Sequence, residues 1–464
     1  MKVSIQDLGI LKQAEFEVGD LTIICGSNNT GKTYATYALY GFICYWNEAY
    51  EPDLLKEEHF KELIEEGSVR IELDDIQRNT KNIIDDACKE YKGFLPMVFA
   101  APDKHFDSTI FNVSLGDMNF IDIEKSIQST GPNRKLIINL SKNHGDNHLS
   151  VGIKEKSEEI DEVNEKWIFH QVNRNIQQIL FGDVFTIPFI ASIERTGASI
   201  FRKELDFTRN RLLEHVSNRE KNVDPFVLIG TYYDRGYALP VNRDVDFNRG
   251  LEDAVKNESF ISKNHPDIIE AFDLILGGEY RASKEGLYYI PNNSRIKLTM
   301  GESASSVRSL LNVGIYIRHI AKPGDILMID EPELNLHPMN QRRIARVLAK
   351  LVNVGIRVFI TTHSDYIVKE FNTLIMLNNT KSIEQRNRVI KKYNYQDNEF
   401  LDPDKIKAYN ATKAMIKIEG KSKKQKRNTF ILANIDEYGI EIDEFDDTIN
   451  IMNNIQEELM FGIE

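Results

Sequence analysis

Eight residues near the N-terminus combine the residue types that proteins use to hold phosphate. They read Gly-Ser-Asn-Asn-Thr-Gly-Lys-Thr, with the apolar run Leu21–Cys25 before them and an apolar helical pattern after them. Strand, glycine loop and helix in this order are typical of a P-loop, whose backbone N–H groups and helix N-terminus form an anion site. We predict that Lys32 reaches the β- and γ-phosphates and that the Thr33 hydroxyl binds Mg²⁺. The predicted nucleotide-binding residues are Gly26, Ser27, Asn28, Asn29, Thr30, Gly31, Lys32 and Thr33.

A second apolar run, Asp325–Glu331, ends in two carboxylates and has the form of a Walker B strand. A buried strand would place Asp330 at its carboxyl end beside the P-loop, where it can hold Mg²⁺ through water. Glu331 would then orient and deprotonate the attacking water. The sequence therefore predicts Thr33 and Asp330 as metal ligands and Glu331 as the catalytic base.

The strand-like run Val358–Thr362 leads into His363 and Ser364. A histidine at a strand end is often just a hydrogen-bonded polar residue. Its spacing after Glu331, however, favours a switch histidine that senses the γ-phosphate and stabilises charge in the transition state. We therefore predict a catalytic role for His363.

A serine-rich segment, Gly301–Ser306, opens a helix between two predicted strands. Serine at a helix N-terminus caps the helix, and the same terminus is an anion site. Two interpretations stay open: plain capping, or a signature element that contacts ATP held by a second subunit. The candidate residues for the second interpretation are Ser303, Ser305 and Ser306.

Other segments carry weaker signals. Alternation predicts an N-terminal hairpin of Lys2–Ile10 and Gln13–Val18, and strands at Phe94–Ala100, Lys135–Leu140 and Leu149–Ile153. Apolar residues at helical spacing predict a helix after Pro338. The basic run from Lys421 to Arg427 is predicted as a loop, either a solvated hairpin tip or a phosphate-contacting patch. A C-terminal helix, Phe445–Leu459, has an apolar stripe that suits core packing or docking.

Composition limits the class of protein. The chain has 464 residues, 41% of them hydrophobic, and a net charge of −13, so it has no global attraction to nucleic acid. The three cysteines lack metal-ligand spacing and indicate a reducing compartment. The N-terminal residues lack the apolar segment of a signal peptide, and the apolar stretch Tyr34–Trp46 is too short to span a bilayer. We predict a cytoplasmic location.

The order of P-loop, serine-rich segment, Ile-Asp-Glu-Pro-Glu-Leu-Asn-Leu-His-Pro and Thr-Thr-His-Ser resembles an ABC-type ATPase head. Heads of this kind occur in structural-maintenance-of-chromosomes (SMC), RecF and overcoming-lysogenization-defect (OLD) proteins. Within that group, Asp330–Pro338, Arg342–Leu351 and Ile360–Asp365 resemble the stand-alone ATPases of bacterial anti-phage systems. The two-gene Septu systems, with their PtuA-like subunits, are the nearest in appearance, and the PARIS ATPase is a near alternative.

This resemblance implies an α/β fold with a mixed sheet, a large α+β insertion and a small C-terminal appendage. The expected segments are 1–50 and 291–380 for the ATPase head, 51–290 for the insertion and 381–464 for the appendage. It implies ATP hydrolysis with Mg²⁺, ATP-sandwich dimers or larger homo-oligomers, and a separate effector, an HNH-type nuclease, through which nucleic acid is reached. The alternatives are a RecF/SMC-like ATPase that clamps DNA and a nucleotide sensor that does not hydrolyse ATP.

The chain also departs from the family pattern. The segment Gly301–Ser306 lacks the Leu-Ser-Gly-Gly-Gln of transporters, which argues against a transporter. His337 stands where many ABC heads carry the D-loop aspartate. No Q-loop glutamine is evident, and Arg195 lies in the loop where it would be expected.

The sequence offers no convincing nuclease site. Glu419 and Gly420 faintly resemble the start of a Toprim domain, but the segment after them is too short for the strands that would supply further aspartates. His144 and His148 lie in a polar loop, where such spacing arises readily. We therefore expect no nuclease activity from this chain alone.

Overall fold

The structure, a computed structural model, describes residues 1–116, 118–131, 136–154, 162–200, 236–283, 286–417 and 423–461. The chain divides into two compact units. The smaller comprises Met1–Val3, Phe42–Lys92 and Phe111–Ile187, and the larger comprises Ser4–Gly41, Gly93–Ile110 and Pro188–Glu464. The segment boundaries inferred from the sequence stay a prediction.

The strands, in chain order, are β1 (Lys2–Leu8), β2 (Leu11–Glu17), β3 (Leu21–Cys25), β4 (Ser68–Glu72), β5 (Ile110–Ser114), β6 (Lys125–Thr130), β7 (Ile137–Lys142), β8 (His148–Lys154), β9 (Phe189–Ala191), β10 (Gly278–Ser283), β11 (Gly286–Pro291), β12 (Leu298–Thr299), β13 (Ile326–Asp330), β14 (Arg357–Thr362), β15 (Ile406–Ile416), β16 (Gln425–Leu432), β17 (Ile435–Asp436) and β18 (Gly439–Ile440).

The α-helices are α1 (Lys32–Glu48), α2 (Glu57–Glu66), α3 (Asp74–Tyr91), α4 (Leu95–Phe99), α5 (Glu162–Phe181), α6 (Arg195–Ile200), α7 (Leu239–Arg249), α8 (Leu251–Ala254), α9 (Phe260–Asn264), α10 (Pro266–Leu276), α11 (Ser305–Ile315), α12 (Pro338–Asn353), α13 (Asp365–Asn379), α14 (Ile383–Tyr393) and α15 (Asp443–Phe461). A π-helical turn, Tyr316–Ile320, continues α11. No helix in the described part of the chain is long and apolar enough to cross a membrane.

A mixed sheet forms the centre of the larger unit, in the order β1-β2-β16-β15-β3-β14-β13-β9. From β15 to β9 neighbouring strands are parallel, whereas β15 and β16 are antiparallel. Strands β3 and β13 are buried along their whole length, as expected for parallel strands covered on both faces. The predicted α/β fold with a mixed sheet is therefore confirmed.

This strand order determines where the site forms. Strand β14 lies between β3 and β13, and all three run parallel, so their carboxyl ends meet at one edge of the sheet. Ligands of open parallel sheets bind at this edge. The P-loop follows β3, Glu331 follows β13 and His363 follows β14. Strand β15 pairs with the other side of β3, so the segment after residue 381 contributes to the same sheet.

Helix α12 shows how the apolar pattern forms the core of the larger unit. Ile344, Val347, Leu348 and Leu351 are all buried, and burying each such side chain contributes about 1.5–3 kcal/mol. The helix predicted after Pro338 is confirmed. The N-terminal hairpin, the buried helix that follows the P-loop and the strands at β7 and β8 are also found.

Two predictions were wrong in detail. The segment Phe94–Ala100 is helical rather than extended, because Pro96 fits the first turn of α4 and Ala100 ends the helix in the left-handed region at φ 49°. A short apolar run cannot distinguish strand from helix by period alone. Gln425–Arg427, predicted as loop, begins β16 and pairs with β15. Residues 421 and 422 lie outside the described residues.

The smaller unit contains an antiparallel sheet in the order β4-β8-β7-β6. Val69, Ile71, Leu140, Leu149 and Val151 are buried at alternate positions of its strands, which gives the sheet one apolar face. The three cysteines of the chain are buried, and none of them forms a disulfide bond.

Candidate functional site

Two positions of the P-loop, Gly26 and Gly31, require glycine for steric reasons. Gly26 and Gly31 have φ values of 131° and 103°, which L side chains rarely adopt. A Cβ atom at Gly26 would lie 2.3 Å from the Ala411 carbonyl oxygen, and one at Gly31 would lie 2.5 Å from the Leu11 side chain. The loop therefore passes close to β15 and β2, and a side chain at either glycine would collide with these strands.

Lys32 closes over the loop that precedes it. Its Nζ donates to the carbonyl oxygens of Gly26 and Ser27, at 2.8 and 3.0 Å. Burial lowers the pKa of Lys32, while the carboxylates of Glu331, Asp330 and Glu333 oppose that shift. The exposed tip of the loop comprises Ser27, Asn28 and Asn29, and the Thr30 hydroxyl donates to the Ser27 carbonyl oxygen at 2.8 Å.

Thr33 and Asp330 meet although they are far apart in sequence. The Thr33 hydroxyl donates to Asp330 Oδ2 at 2.9 Å, and the Thr361 hydroxyl donates to Asp330 Oδ1. Burial raises the pKa of Asp330, whereas these two hydrogen bonds lower it. A hydroxyl and a carboxylate oxygen are the hard ligands that Mg²⁺ takes, usually with several waters. The donor set therefore fits Mg²⁺.

Glu331 and His363 form an ion pair at the carboxyl ends of β13 and β14. His363 Nδ1 lies 3.2 Å from Glu331 Oε1, and the His363 side chain is 46% exposed. The hydrogen bond from His363 lowers the pKa of Glu331 despite burial, and the same bond raises the pKa of His363. Glu331 also has a φ of 54°, an uncommon value for a non-glycine residue that often marks a functional position.

Arg195 connects this pair to other elements through four backbone carbonyls. Its guanidinium donates to the carbonyl oxygens of Asp330 (2.6 Å), Glu331 (2.7 Å), Ser192 (2.7 Å) and Ser309 (2.8 Å). Arg195 is buried, and burial lowers its pKa. Sequence reasoning marked its loop but gave it no role. An arginine beside a strand end gives no local signal of contacts that span more than a hundred residues.

The serine-rich segment does not cap its helix with a side chain. Helix α11 begins at Ser305, and its N-cap is Ala304, which cannot accept through a side chain. The Ser303 hydroxyl is buried and donates to the Thr299 carbonyl oxygen at 2.8 Å. Ser305 is exposed and Ser306 is partly exposed. The first backbone N–H groups of α11 therefore lack a side-chain cap, which weakens plain capping as the explanation for the serines.

The structure also describes three further histidines that the sequence singled out. His337 is the N-cap of α12, and its Nδ1 accepts from the Met339 N–H at 3.3 Å. His144 and His148 lie in the smaller unit, and His144 Nδ1 is 3.4 Å from the Asp122 carbonyl oxygen. In the residues described there is no group of three or more His, Cys, Asp or Glu side chains that could hold a metal. Glu419 and Gly420 lie outside the described residues.

Comparison with known families adds one finding at the level of sequence. Residues 251–368 match the family described as AAA ATPase domain. This segment is similar to an AAA ATPase domain. It contains the serine-rich segment, Asp330, Glu331 and His363, whereas the P-loop lies outside it. The match and the convergence of the P-loop with these residues support an ATPase.

Two of the solved structures with a detectable likeness to this chain are SMC heads. The SMC head domain from Thermotoga maritima is 9% identical, with coverage of 94% of this chain and 98% of that chain and a TM-score of 0.30. The Smc head with an extended coiled coil, bound to the C-terminal domain of ScpA and derived from Pyrococcus furiosus, is 12% identical, with 98% of each chain covered and a TM-score of 0.31. Such low TM-scores do not establish a shared fold. No curated protein matches the chain.

Proposed function

We propose that this chain binds and hydrolyses ATP as an ABC-type head. The observation that carries the proposal is the meeting of the P-loop with Asp330, Glu331 and His363 at one sheet edge. The loop N–H groups and Lys32 bind the β- and γ-phosphates, and Thr33 and Asp330 hold Mg²⁺, which neutralises phosphate charge. Glu331 orients and deprotonates the attacking water, and His363 contacts the γ-phosphate.

Two copies of the chain would sandwich ATP. An uncapped helix N-terminus attracts anions because its N–H groups and dipole point outward. Helix α11 presents such a terminus, with Ser305 exposed at its first turn. In this proposal Ser303, Ser305 and Ser306 complete the ATP site of the second copy, so the active enzyme is a homo-dimer or a larger homo-oligomer.

We propose further that ATP gates a separate effector, an HNH-type nuclease in bacterial anti-phage defence, and that this chain has no nuclease site of its own. Helix α15 supports a docking role. Ile451, Met452, Ile455, Leu459 and Met460 are 51–81% exposed, so these five side chains are not part of the core. Exposed apolar surface of this kind marks interaction sites.

The test is reconstitution with the nuclease encoded beside this gene. The chain alone should leave plasmid, linear DNA and RNA intact with Mg²⁺ or Mn²⁺, with or without ATP. Cleavage should require the nuclease, respond to nucleotide and be lost in Lys32→Ala. Cleavage by the isolated chain that survives Lys32→Ala would contradict the proposal.

The docking role of α15 has its own test. Met452→Glu with Ile455→Glu should abolish nuclease recruitment but leave the ATPase rate unchanged. Asn453→Glu with Asn454→Glu, equally exposed on the same helix, is the matched control and should keep recruitment. Loss of recruitment in both double variants, or in neither, would argue against the apolar stripe as the docking face.

One observation favours the alternative, a DNA-clamping ATPase. Strands β15 and β16 form an antiparallel ribbon. Lys413 and Met415 in β15, and Lys417 directly after it, are exposed at alternate positions, and Lys426 of β16 pairs with Met415. This basic face lies beside the P-loop, where the Asn428 side chain is 3.4 Å from the Asn29 carbonyl oxygen. Duplex DNA binding by the isolated chain that weakens steeply with salt, and whose salt slope falls in Lys413→Glu with Lys417→Glu, would favour the clamp.

A further inference from the structure

Glu333 is a buried carboxylate two residues after Glu331, in the turn between β13 and α12. It is 4% exposed, and the motif analysis assigned it no role. Its Oε1 accepts from the Thr362 hydroxyl and from the His363 backbone N–H, both at 2.7 Å. Its Oε2 is also buried and has no hydrogen-bond partner among the described residues. Burying a carboxylate costs free energy unless hydrogen bonds or an opposite charge compensate, and in Glu333 only Oε1 has hydrogen-bond partners among the described residues.

The Glu333 contacts converge on the end of β14 that carries His363. The His363 ring nitrogen Nδ1 is 3.4 Å from Glu333 Oε1 and 3.2 Å from Glu331 Oε1. One N–H makes one good hydrogen bond at a time, so the two carboxylates compete for the same proton. While Glu331 Oε1 accepts from this ring, that oxygen is a poorer acceptor for a proton from water.

We propose that Glu333 is a positioning residue that fixes the backbone of His363 and takes over its Nδ1–H bond when the ring turns away from Glu331. The ring then presents Nε2 to the γ-phosphate while Glu331 becomes free to accept a proton from water. No proton moves in this step, because the hydrogen bond only changes its acceptor. This inference rests on the proposed ATP hydrolysis and assigns a role to a residue outside its catalytic set.

Burial raises the pKa of Glu333, and the hydrogen bonds from Thr362 and from the His363 backbone lower it. The hydrogen bond to Glu331 raises the pKa of His363 despite burial, and the negative charges of Glu333 and Glu331 raise it further. A structural carboxylate elsewhere in the fold would have no effect on this ring. The His363 titration therefore reports on Glu333 directly.

The test compares Glu333→Gln, Glu333→Asp and Glu399→Gln. The glutamine keeps volume and an acceptor oxygen for Thr362 and His363 but removes charge, whereas the aspartate keeps the charge. Glu399 is also 4% exposed, and it pairs with Arg346 at 2.7 Å, so it controls for loss of a buried carboxylate. The readouts are the His363 pKa by NMR in the nucleotide-free protein, ATP affinity, and kcat against pH.

Glu333→Gln should lower the His363 pKa by about half a unit or more. It should reduce kcat by about tenfold or more, with ATP affinity within about twofold of wild type, since proton-handling groups contribute on this scale. Glu333→Asp should keep the raised His363 pKa, and Glu399→Gln should change neither the pKa nor kcat.

The inference is overturned if Glu333→Gln changes the His363 pKa no more than Glu399→Gln, or if Glu333→Asp behaves like Glu333→Gln. A wild-type chain that hydrolyses no ATP would refute the proposed function. The NMR titration needs no turnover, so it would still decide the contact between Glu333 and His363.

Discussion

Asp244 is a carboxylate almost without access to solvent, in the polar network that holds Arg195 and α11. Its Oδ2 accepts from the Ser192 N–H at 2.8 Å, and its Oδ1 accepts from Asn312 Nδ2 at 2.7 Å. Burial raises the pKa of Asp244 to about 6, although hydrogen bonds from Ser192 and Asn312 and the charge of Arg195 oppose the shift. This network connects the loop before α6 to the helix that carries the serine-rich segment.

A raised acid pKa gives a stability that depends on pH. The folded state binds the Asp244 proton more tightly than the unfolded chain does, so this contribution is complete below the unfolded pKa and is lost as the pH rises through about 6. Relative to Asp244→Asn, the free energy of unfolding of wild type should fall by about 2 kcal/mol between about pH 4 and pH 7.

Denaturant unfolding of both proteins across this pH range makes the measurement. Asp246→Asn on the same helix is the control, because Asp246 is exposed and pairs with Arg249 at 3.0 Å. It should show no such difference. A wild-type stability that runs parallel to that of Asp244→Asn across the range would mean that folding does not raise the pKa of Asp244.

The residues that sequence predicted best belong to contiguous motifs. Lys32 and Asp330 could be assigned because a glycine loop and an apolar strand fix their surroundings locally. Arg195 and Glu333 could not, because their hydrogen bonds join residues from about 30 to 135 positions apart. Only the order of the strands in the sheet brings these partners together, and the sequence does not state that order.

In the proposed ATP sandwich, assembly depends on the N-terminus of α11. Ser305→Arg adds bulk and a cation at an exposed first turn without removing a cap, since the N-cap is Ala304. The variant should fold normally but stay monomeric, and its ATPase rate should fall about tenfold or more, because a misplaced charge at an interface costs several kcal/mol. Light scattering and ATPase assays at the same concentration make the measurement.

Gln385→Arg, in the exposed first turn of α14, is the matched control and should assemble and hydrolyse ATP as wild type does. Full activity of a strictly monomeric wild-type chain would contradict the shared site. So would a Ser305→Arg variant that assembles and turns over normally.

Helices with a long, regular spacing of apolar residues could be predicted from the sequence. Short apolar runs could not be assigned to helix or strand. Helix α12 has apolar residues on one face from Ile344 to Val352, more than two turns, and the structure buries that face. The run from Phe94 to Ala100 is as apolar as a strand, but Pro96 sets a helical φ at its start. The first residues of strand β16 were predicted as loop, because five of the seven residues from Lys421 to Arg427 are cationic and suggest a solvated loop. In the structure, pairing with β15 begins the strand at Gln425.

The chain as a whole is negatively charged, but the ribbon of β15 and β16 carries a cluster of exposed lysines. With a net charge of −13, long-range attraction to DNA would have to come from the ribbon of β15 and β16. The same ribbon contacts the P-loop through Ala411 and Asn428, so anything bound there lies close to the nucleotide. The two proposals therefore use different surfaces: the effector would bind α15, whereas DNA would bind the ribbon of β15 and β16.

The most direct test of the account is ATP binding and turnover by Glu331→Gln beside wild type and Lys32→Ala. Glu331→Gln should bind ATP with Mg²⁺, accumulate as the ATP-bound dimer and lose turnover by about 10²-fold or more, because the base is gone while the phosphate and metal ligands remain. Lys32→Ala should lose ATP binding itself. Hydrolysis by Glu331→Gln at the wild-type rate would contradict the assignment of Glu331 as the base and the site built around it.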